Sequence, residues 1–445
     1  MNNENTQRDL TGQQEPFLKQ SAEVDLSTEE VLLLVFGVFF VLYGLLLFPV
    51  LTGALRYSLD SADGLFLVIV SLQVITMGKT PFGDLRRSWV LVIVGIALAM
   101  LGSLAIFVPG SLTVPVSILT GVILVVGGVS QLVQLFISEE KAKTWLKVPG
   151  ILQHLTIACG VVWVLGVLLG ILTLSGVVAG NVVLVPGNPA GPLVAVLLLS
   201  FGLSFFYLTW CIQKVTRSYP PQETKNSARE QMTSETPPSQ DGFSVFREAS
   251  LSLTDAFGLF RGVLITFIGL LYYGVYFGGM PLNQSGRLGL LLILTSLILL
   301  WEGLFLGRQY RRSWWLMTIG IVFAGMGIIS CIVPGILADV IQPLLGLQNI
   351  FTGVLFLALQ LVVPAVHCTR SPPAKSVTLP PLTKRLGHGS TVLNIVLIVF
   401  GLDALAPALF PSLLGVFRYY LFFPVLIITV GLLNLYTAYL NQKLQ

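Results

Sequence analysis

From Val31 to the C-terminus the chain is a succession of apolar runs, cut by short turns and clusters of charge. No other feature constrains its folding as tightly. In lipid the backbone N–H and C=O groups find no water, so only helices and closed barrels satisfy them. Runs of about 20 apolar residues suit helices that cross a hydrocarbon core of about 30 Å, whereas membrane strands need only about 10. Twelve such segments can be cut, at 31–52, 64–78, 88–108, 113–137, 150–175, 191–213, 256–279, 286–306, 313–333, 338–363, 391–410 and 414–440. Composition agrees with that reading. The chain is 54% hydrophobic and 10% charged, with a mean hydropathy of +0.86, where soluble domains carry about 25% charged residues. The expected fold class is all-α, a polytopic integral membrane protein of about 12 transmembrane helices.

Residues 1–30 form a polar segment with seven acidic side chains and none of the features of a cleaved signal peptide, so the first apolar run is expected to stay as a helix. The one long polar stretch elsewhere, 214–252, is rich in Ser, Thr, Pro, Gln and Glu and reads as a flexible linker. It separates two six-span units, 31–213 and 253–445. If residues 1–30 lie inside, 22 of the 25 Lys and Arg fall on the inner side, leaving Arg56, Arg287 and Arg418 outside. The positive-inside rule then gives both termini and the linker to the cytoplasm of a multi-pass plasma-membrane protein.

The two units are copies. At a constant offset of 225, Gly37 meets Gly262, Gly44 meets Gly269, and Arg86-Arg87-Ser88-Trp89 meets Arg311-Arg312-Ser313-Trp314. The same offset pairs Val108-Pro109-Gly110 with Val333-Pro334-Gly335, Gly121 with Gly346 and Gly128 with Gly353. Beyond the fourth span the offset shifts, yet "GLSFFYLTWCIQK" from Gly202 still answers "GLLNLYTAYLNQK" from Gly431. Small residues also recur seven apart along the odd-numbered spans. Two spans complete a stripe, Gly95-Ala99-Gly102 and Gly320-Ala324-Gly327. Such spacing puts small residues on one helix face and lets backbones approach closely in lipid. Each odd span is followed by a short turn and a returning span, which predicts six helical hairpins in two bundles of three.

The double arginine and tryptophan, the glycines seven apart, the proline after the span and the glycine-marked return resemble the HdeD family of small bacterial membrane proteins. The likeness is best over Arg86–Gly128 and Arg311–Gly353. It implies short repeated two-helix units, six spans in all, and an association with acid resistance or stress. The family supplies no catalytic or binding residues to transfer. This chain departs from it in length, as a tandem fusion of two units.

Charge deep in a span is costly, about 2.5–3.5 kcal/mol on insertion scales, and so marks candidate sites. Asp403 lies over halfway along its span, either facing the bundle as a proton-binding group or sitting near the outer interface. Glu302, near an inner end and followed by Arg308, reads as a membrane-edge carboxylate paired with a cytoplasmic arginine. Glu302 corresponds to Met77 and Asp403 to Val162, so paired carboxylates in the two halves are not expected. His154 reads as a hydrogen-bonded interfacial residue, and Gln131, Gln134, Gln348, Asn349, Gln360, Asn394 and Asn434 as interhelical glue.

The four cysteines form no Cys-x-x-Cys pair, and His367-Cys368 with His388 fits no zinc spacing. Neither a phosphate loop nor a dinucleotide fingerprint nor a nucleophile elbow occurs in a fitting context. No enzyme activity, catalytic residue, cofactor or metal is therefore expected. The expected partners are the lipid bilayer and a second copy in a homo-oligomer, not nucleic acid. The favoured reading is an HdeD-like membrane protein. The alternative is a secondary transporter of major-facilitator-like 6+6 architecture, which the inner loop "GKTPFGDLRR" imitates.

Overall fold

The computed structural model describes residues 23–24, 28–76, 89–110, 112–137, 150–178, 190–218, 253–278, 283–301, 312–370, 381–409 and 422–444. Within them lie twelve helices: α1 (Thr28–Leu51), α2 (Leu59–Thr76), α3 (Trp89–Phe107), α4 (Thr113–Ile137), α5 (Ile151–Val178) and α6 (Gly191–Ser218), then α7 (Leu253–Gly278), α8 (Gln284–Trp301), α9 (Trp314–Ile332), α10 (Ala338–Arg370), α11 (Pro381–Leu409) and α12 (Phe423–Leu444). A two-residue bridge pairs Glu23–Val24 (β1) with Arg312–Ser313 (β2), antiparallel. The protein is all-α and polytopic, and ten of the described helices are long and apolar enough to cross a membrane. The other two, α2 and α8, sit at the centre. From Ala62 to Ser71 every residue of α2 is buried. Helices enclosed by protein need not present an apolar face to lipid, which is how α2 tolerates Asp60 and Asp63, and α8 tolerates Arg287.

The closest helix pairs are α1 with α6, α2 with α3 and α4 with α5, repeated as α7 with α12, α8 with α9 and α10 with α11. The hairpins expected across the short turns (α1–α2, α3–α4) make few contacts by comparison, so the pairing is displaced by one span. Glycines at matching depth are the reason. A Cβ at Gly170 would stand 2.8 Å from the Gly121 carbonyl oxygen, and one at Gly121 would stand 3.2 Å from that of Gly170. Gly289 and Gly327 oppose each other in the same way, at 2.6 and 2.7 Å, as do Gly346 and Gly401. Gly64 faces Gly102 likewise. The stripe Gly95-Ala99-Gly102 is buried against α2, and Gly320-Ala324-Gly327 against α8. Val92, one turn before the first stripe, is itself 1% exposed and belongs to the packed face.

These contacts also realign the fifth and eleventh spans. Gly353 meets the Asn394 carbonyl as Gly128 meets that of Trp163, and Gly346 meets Gly401 as Gly121 meets Gly170. Asp403 therefore corresponds to Leu172, not to Val162, because the loops before α5 and α11 differ in length.

Helices α1, α2 and α3 pack on α7, α8 and α9, so one apolar core runs through both units. Contacts of α1 with α9 recur as α7 with α3, and those of α2 with α9 as α8 with α3. The backbone reproduces the same two-fold relation. Ser58 N–H donates to the Ile332 carbonyl at 3.2 Å, and Asn283 N–H, 225 positions on, donates to the Phe107 carbonyl at 3.3 Å.

Glycine at 327 is a sharp test of the backbone contact, because a methyl group there would stand 2.7 Å from the Gly289 oxygen. Gly327→Ala should cost about 1–3 kcal/mol, the usual penalty for overpacking. Gly127→Ala, where nothing lies within 4 Å, should leave stability unchanged or slightly raised. Thermal unfolding of the two variants in detergent decides; equal midpoints would refute the close-approach account.

Candidate functional site

Five helices of the first unit, α1, α2, α4, α5 and α6, close a ring. At its turn end, where α2 begins and the Val-Pro-Gly turn lies, two carboxylates are buried. Asp60 and Asp63 are 8% and 7% exposed. Their spacing of three places both on one face of α2, at its second and fifth residues.

Each ties α2 to a different neighbour. Asp60 Oδ2 accepts from the backbone N–H of Gly110, the glycine of Val-Pro-Gly, while its Oδ1 is buried without a hydrogen-bond partner among the described residues. Gly110 has φ of 86°, the left-handed region in which a side chain is strained, so the turn requires glycine. The second unit repeats the contact in neutral form: Gly335, φ 98°, donates to Ser285 Oγ at 3.2 Å. Asp63 accepts from Ser117 Oγ on α4. It has no equivalent, since position 288 is leucine and position 342, matching Ser117, is glutamine.

Around the carboxylates lies a hydroxyl network. Tyr43 and Tyr57 share a hydrogen bond of 2.6 Å between their hydroxyls. Burial, with Tyr43 and Asp63 beside it, pushes the Tyr57 hydroxyl well above its ordinary range, so it stays neutral. Ser58 Oγ donates to Ser61 Oγ at 2.8 Å, and Asn283 Nδ2 of the other unit donates to the same oxygen at 2.8 Å. The carboxylate end of the first ring is thus tied to the seam between the units.

Two cavities occupy the ring. One, of 170 Å³, is lined by Asp63, Tyr43, Ser117, Thr113, Thr120 and Thr173 among apolar side chains. The other, of 420 Å³, lies towards the opposite end and is lined by Gln73, Gln131 and Gln134 among Leu, Val and Phe. Gln131 and Gln134 thus border a cavity. Gln348 Oε1 accepts from Thr295 at 3.1 Å, and Gln360 Nε2 donates to the Gly387 carbonyl at 2.9 Å, both between helices. Asn349 instead bonds its own helix at the Leu345 carbonyl, and Asn394 is buried on α11.

Of the residues singled out from sequence, Asp403 is 8% exposed on α11, near the level where Gln342 Nε2 reaches the Ala404 carbonyl at 3.4 Å. Glu302 lies outside the described residues, as do Arg86, Arg87 and residues 219–252 of the linker, whose first residues, 214–218, instead continue α6. Asp403 and the Asp60–Asp63 pair belong to different rings. His154 Nδ1 shares a hydrogen bond of 2.8 Å with Tyr207, and Cys159, Cys211 and Cys331 are buried free thiols. Arg261, counted from sequence with the linker side, lies inside α7 at 6% exposure, its Nη2 donating to Asn434 Oδ1 on α12.

Asp60 and Asp63 escaped the sequence reading because the second apolar run was started at residue 64. The available signal was "SLDSADG": two acidic residues, three apart, at the head of an apolar helix. Comparing Asp63 with Leu288 across the repeat would also have marked it.

Residues 93–165, from α3 through α4 into α5, match the family model described as a short repeat of unknown function (DUF308). No curated protein and no solved structure matches the chain.

The Asp63–Ser117 contact predicts a coupled pair. Ser117→Ala should destabilise by about 1–3 kcal/mol, since it strips a buried carboxylate of its donor. In an Asp63→Leu background the same change should cost markedly less. Denaturation of the four proteins in detergent tests this, and additive losses would show that the two side chains act independently.

Proposed function

We propose that the chain is an HdeD-like integral membrane protein of the plasma membrane that acts in membrane-level resistance to acid or related stress and turns over no substrate. The match over residues 93–165 supports the family reading, because that repeat is found in HdeD-like membrane proteins. With Arg261 set aside as buried in α7, the bias of 21 of the 25 Lys and Arg supports cytoplasmic termini and linker. In that orientation the Val-Pro-Gly turns face away from the cytoplasm.

The observation that carries the acid reading is the pair Asp60 and Asp63, buried at this outer end and used as hydrogen-bond acceptors for Gly110 and Ser117. A hydrogen bond to a charged acceptor contributes about 1.5–3 kcal/mol, more than a neutral one. Loss of the negative charge on these acceptors weakens the ties of α2 to the α3–α4 turn and to α4. The second unit, with Ser285 and Leu288, has no such dependence. One half therefore carries carboxylate-dependent ties that the other lacks.

In a deletion strain, wild-type protein should restore survival at low pH. The Asp60→Ser, Asp63→Asn double variant should not, although it is expressed and inserted at the wild-type level. Full acid survival with the double variant would sink the reading.

A further inference from the structure

The two cavities of the first ring share Phe40, Phe66 and Leu124, which form a waist between them. Among the described residues Asp63 supplies the one carboxylate lining either cavity, and no Lys, Arg or His lines them. Thr120 also lines the smaller cavity. It is 5% exposed, and its Oγ1 has no hydrogen-bond partner among the described residues. A buried carboxylate and an unpartnered hydroxyl thus border one space, with the rings of Phe40, Tyr43 and Phe66 around it.

We propose that the first ring binds a single-chain alkylammonium ion, its ammonium group held at Asp63 and Thr120 and its tail passing the waist into the larger cavity. The carboxylate selects a cation over an anion. Apolar and aromatic walls cannot replace the full water shell of an inorganic cation, but they suit an organic one, which also gains from aromatic faces. An ammonium group carries only donors, and the Asp63 carboxylate and the Thr120 hydroxyl oxygen can both accept. The second ring cannot form this site, because Leu288 and Leu345 stand where Asp63 and Thr120 do.

This inference is independent of the acid reading, and its test leaves survival aside. The full chain in phosphatidylcholine nanodiscs should bind labelled dodecylammonium saturably at neutral pH, one ion per chain above empty discs. Uncharged dodecanol should bind at least 10-fold more weakly. Asp63→Leu and Thr120→Leu, each installing the residue of the second unit, should each weaken dodecylammonium binding at least 10-fold while remaining folded at the temperature of the binding measurement. Absence of saturable binding, binding unchanged in folded Asp63→Leu, or equal binding of dodecanol would overturn the proposal. A third arm adds phosphatidylethanolamine to the discs. Unchanged dodecylammonium binding upholds the single-chain ligand, whereas displacement would overturn it in favour of an ethanolamine lipid headgroup.

Discussion

Close approach of helix backbones at opposed glycines is the contact on which the rest of the structure depends. In lipid, burying an apolar side chain against another helix gains little over burying it in acyl chains, so association rests on packing density and short polar contacts. Gly64 with Gly102, Gly121 with Gly170, Gly289 with Gly327 and Gly346 with Gly401 each bring one backbone against another, and Gly202 does the same against Gly37 and Val41. These pairs set the helix spacing. Once α1–α6, α2–α3 and α4–α5 are fixed as units, α2 is drawn inward and the remaining helices close around it.

The seam between the units explains what duplication had to preserve. Ser58 and Asn283 occupy equivalent positions and cap equivalent helices, and each donates its N–H to the last turn of the helix in the opposite unit. Gly110 and Gly335 hold the same left-handed turn, whether the acceptor is a carboxylate or a hydroxyl. A change in any of these would alter both the fold of one unit and its docking to the other.

The interiors of the two rings were free to diverge, and they did. Asp63 and Thr120 face Leu288 and Leu345 across the repeat, Phe36 becomes Arg261, and Leu172, which lines the first cavity, becomes Asp403. Each polar replacement brings its own requirement for a partner, since a buried polar atom without one is costly. Arg261 has Asn434 on the neighbouring helix, and Gln348 has Thr295. In both rings that requirement is met only in part: Ser117 serves Asp63, but among the described residues nothing partners Thr120 Oγ1 in the first ring or Gln348 Nε2 in the second.

The helices, their all-α membrane class and the repeat were legible in the amino-acid order, because the bilayer imposes a length and an apolar character on each helix that crosses it. The glycine stripe was legible too, since spacing along a helix determines which residues share a face. Which helix that face meets was not. A row of glycines fits any neighbour with small residues at the same depth, and the chain offers such neighbours on both sides of α3. Only the packed structure selects α2, because Gly64 stands level with Gly102. The same selection decided the site. An acidic pair at the head of an apolar run reads as a solvated helix start until α2 is enclosed by protein on every side, and that enclosure removes the water that would otherwise have solvated Asp60 and Asp63.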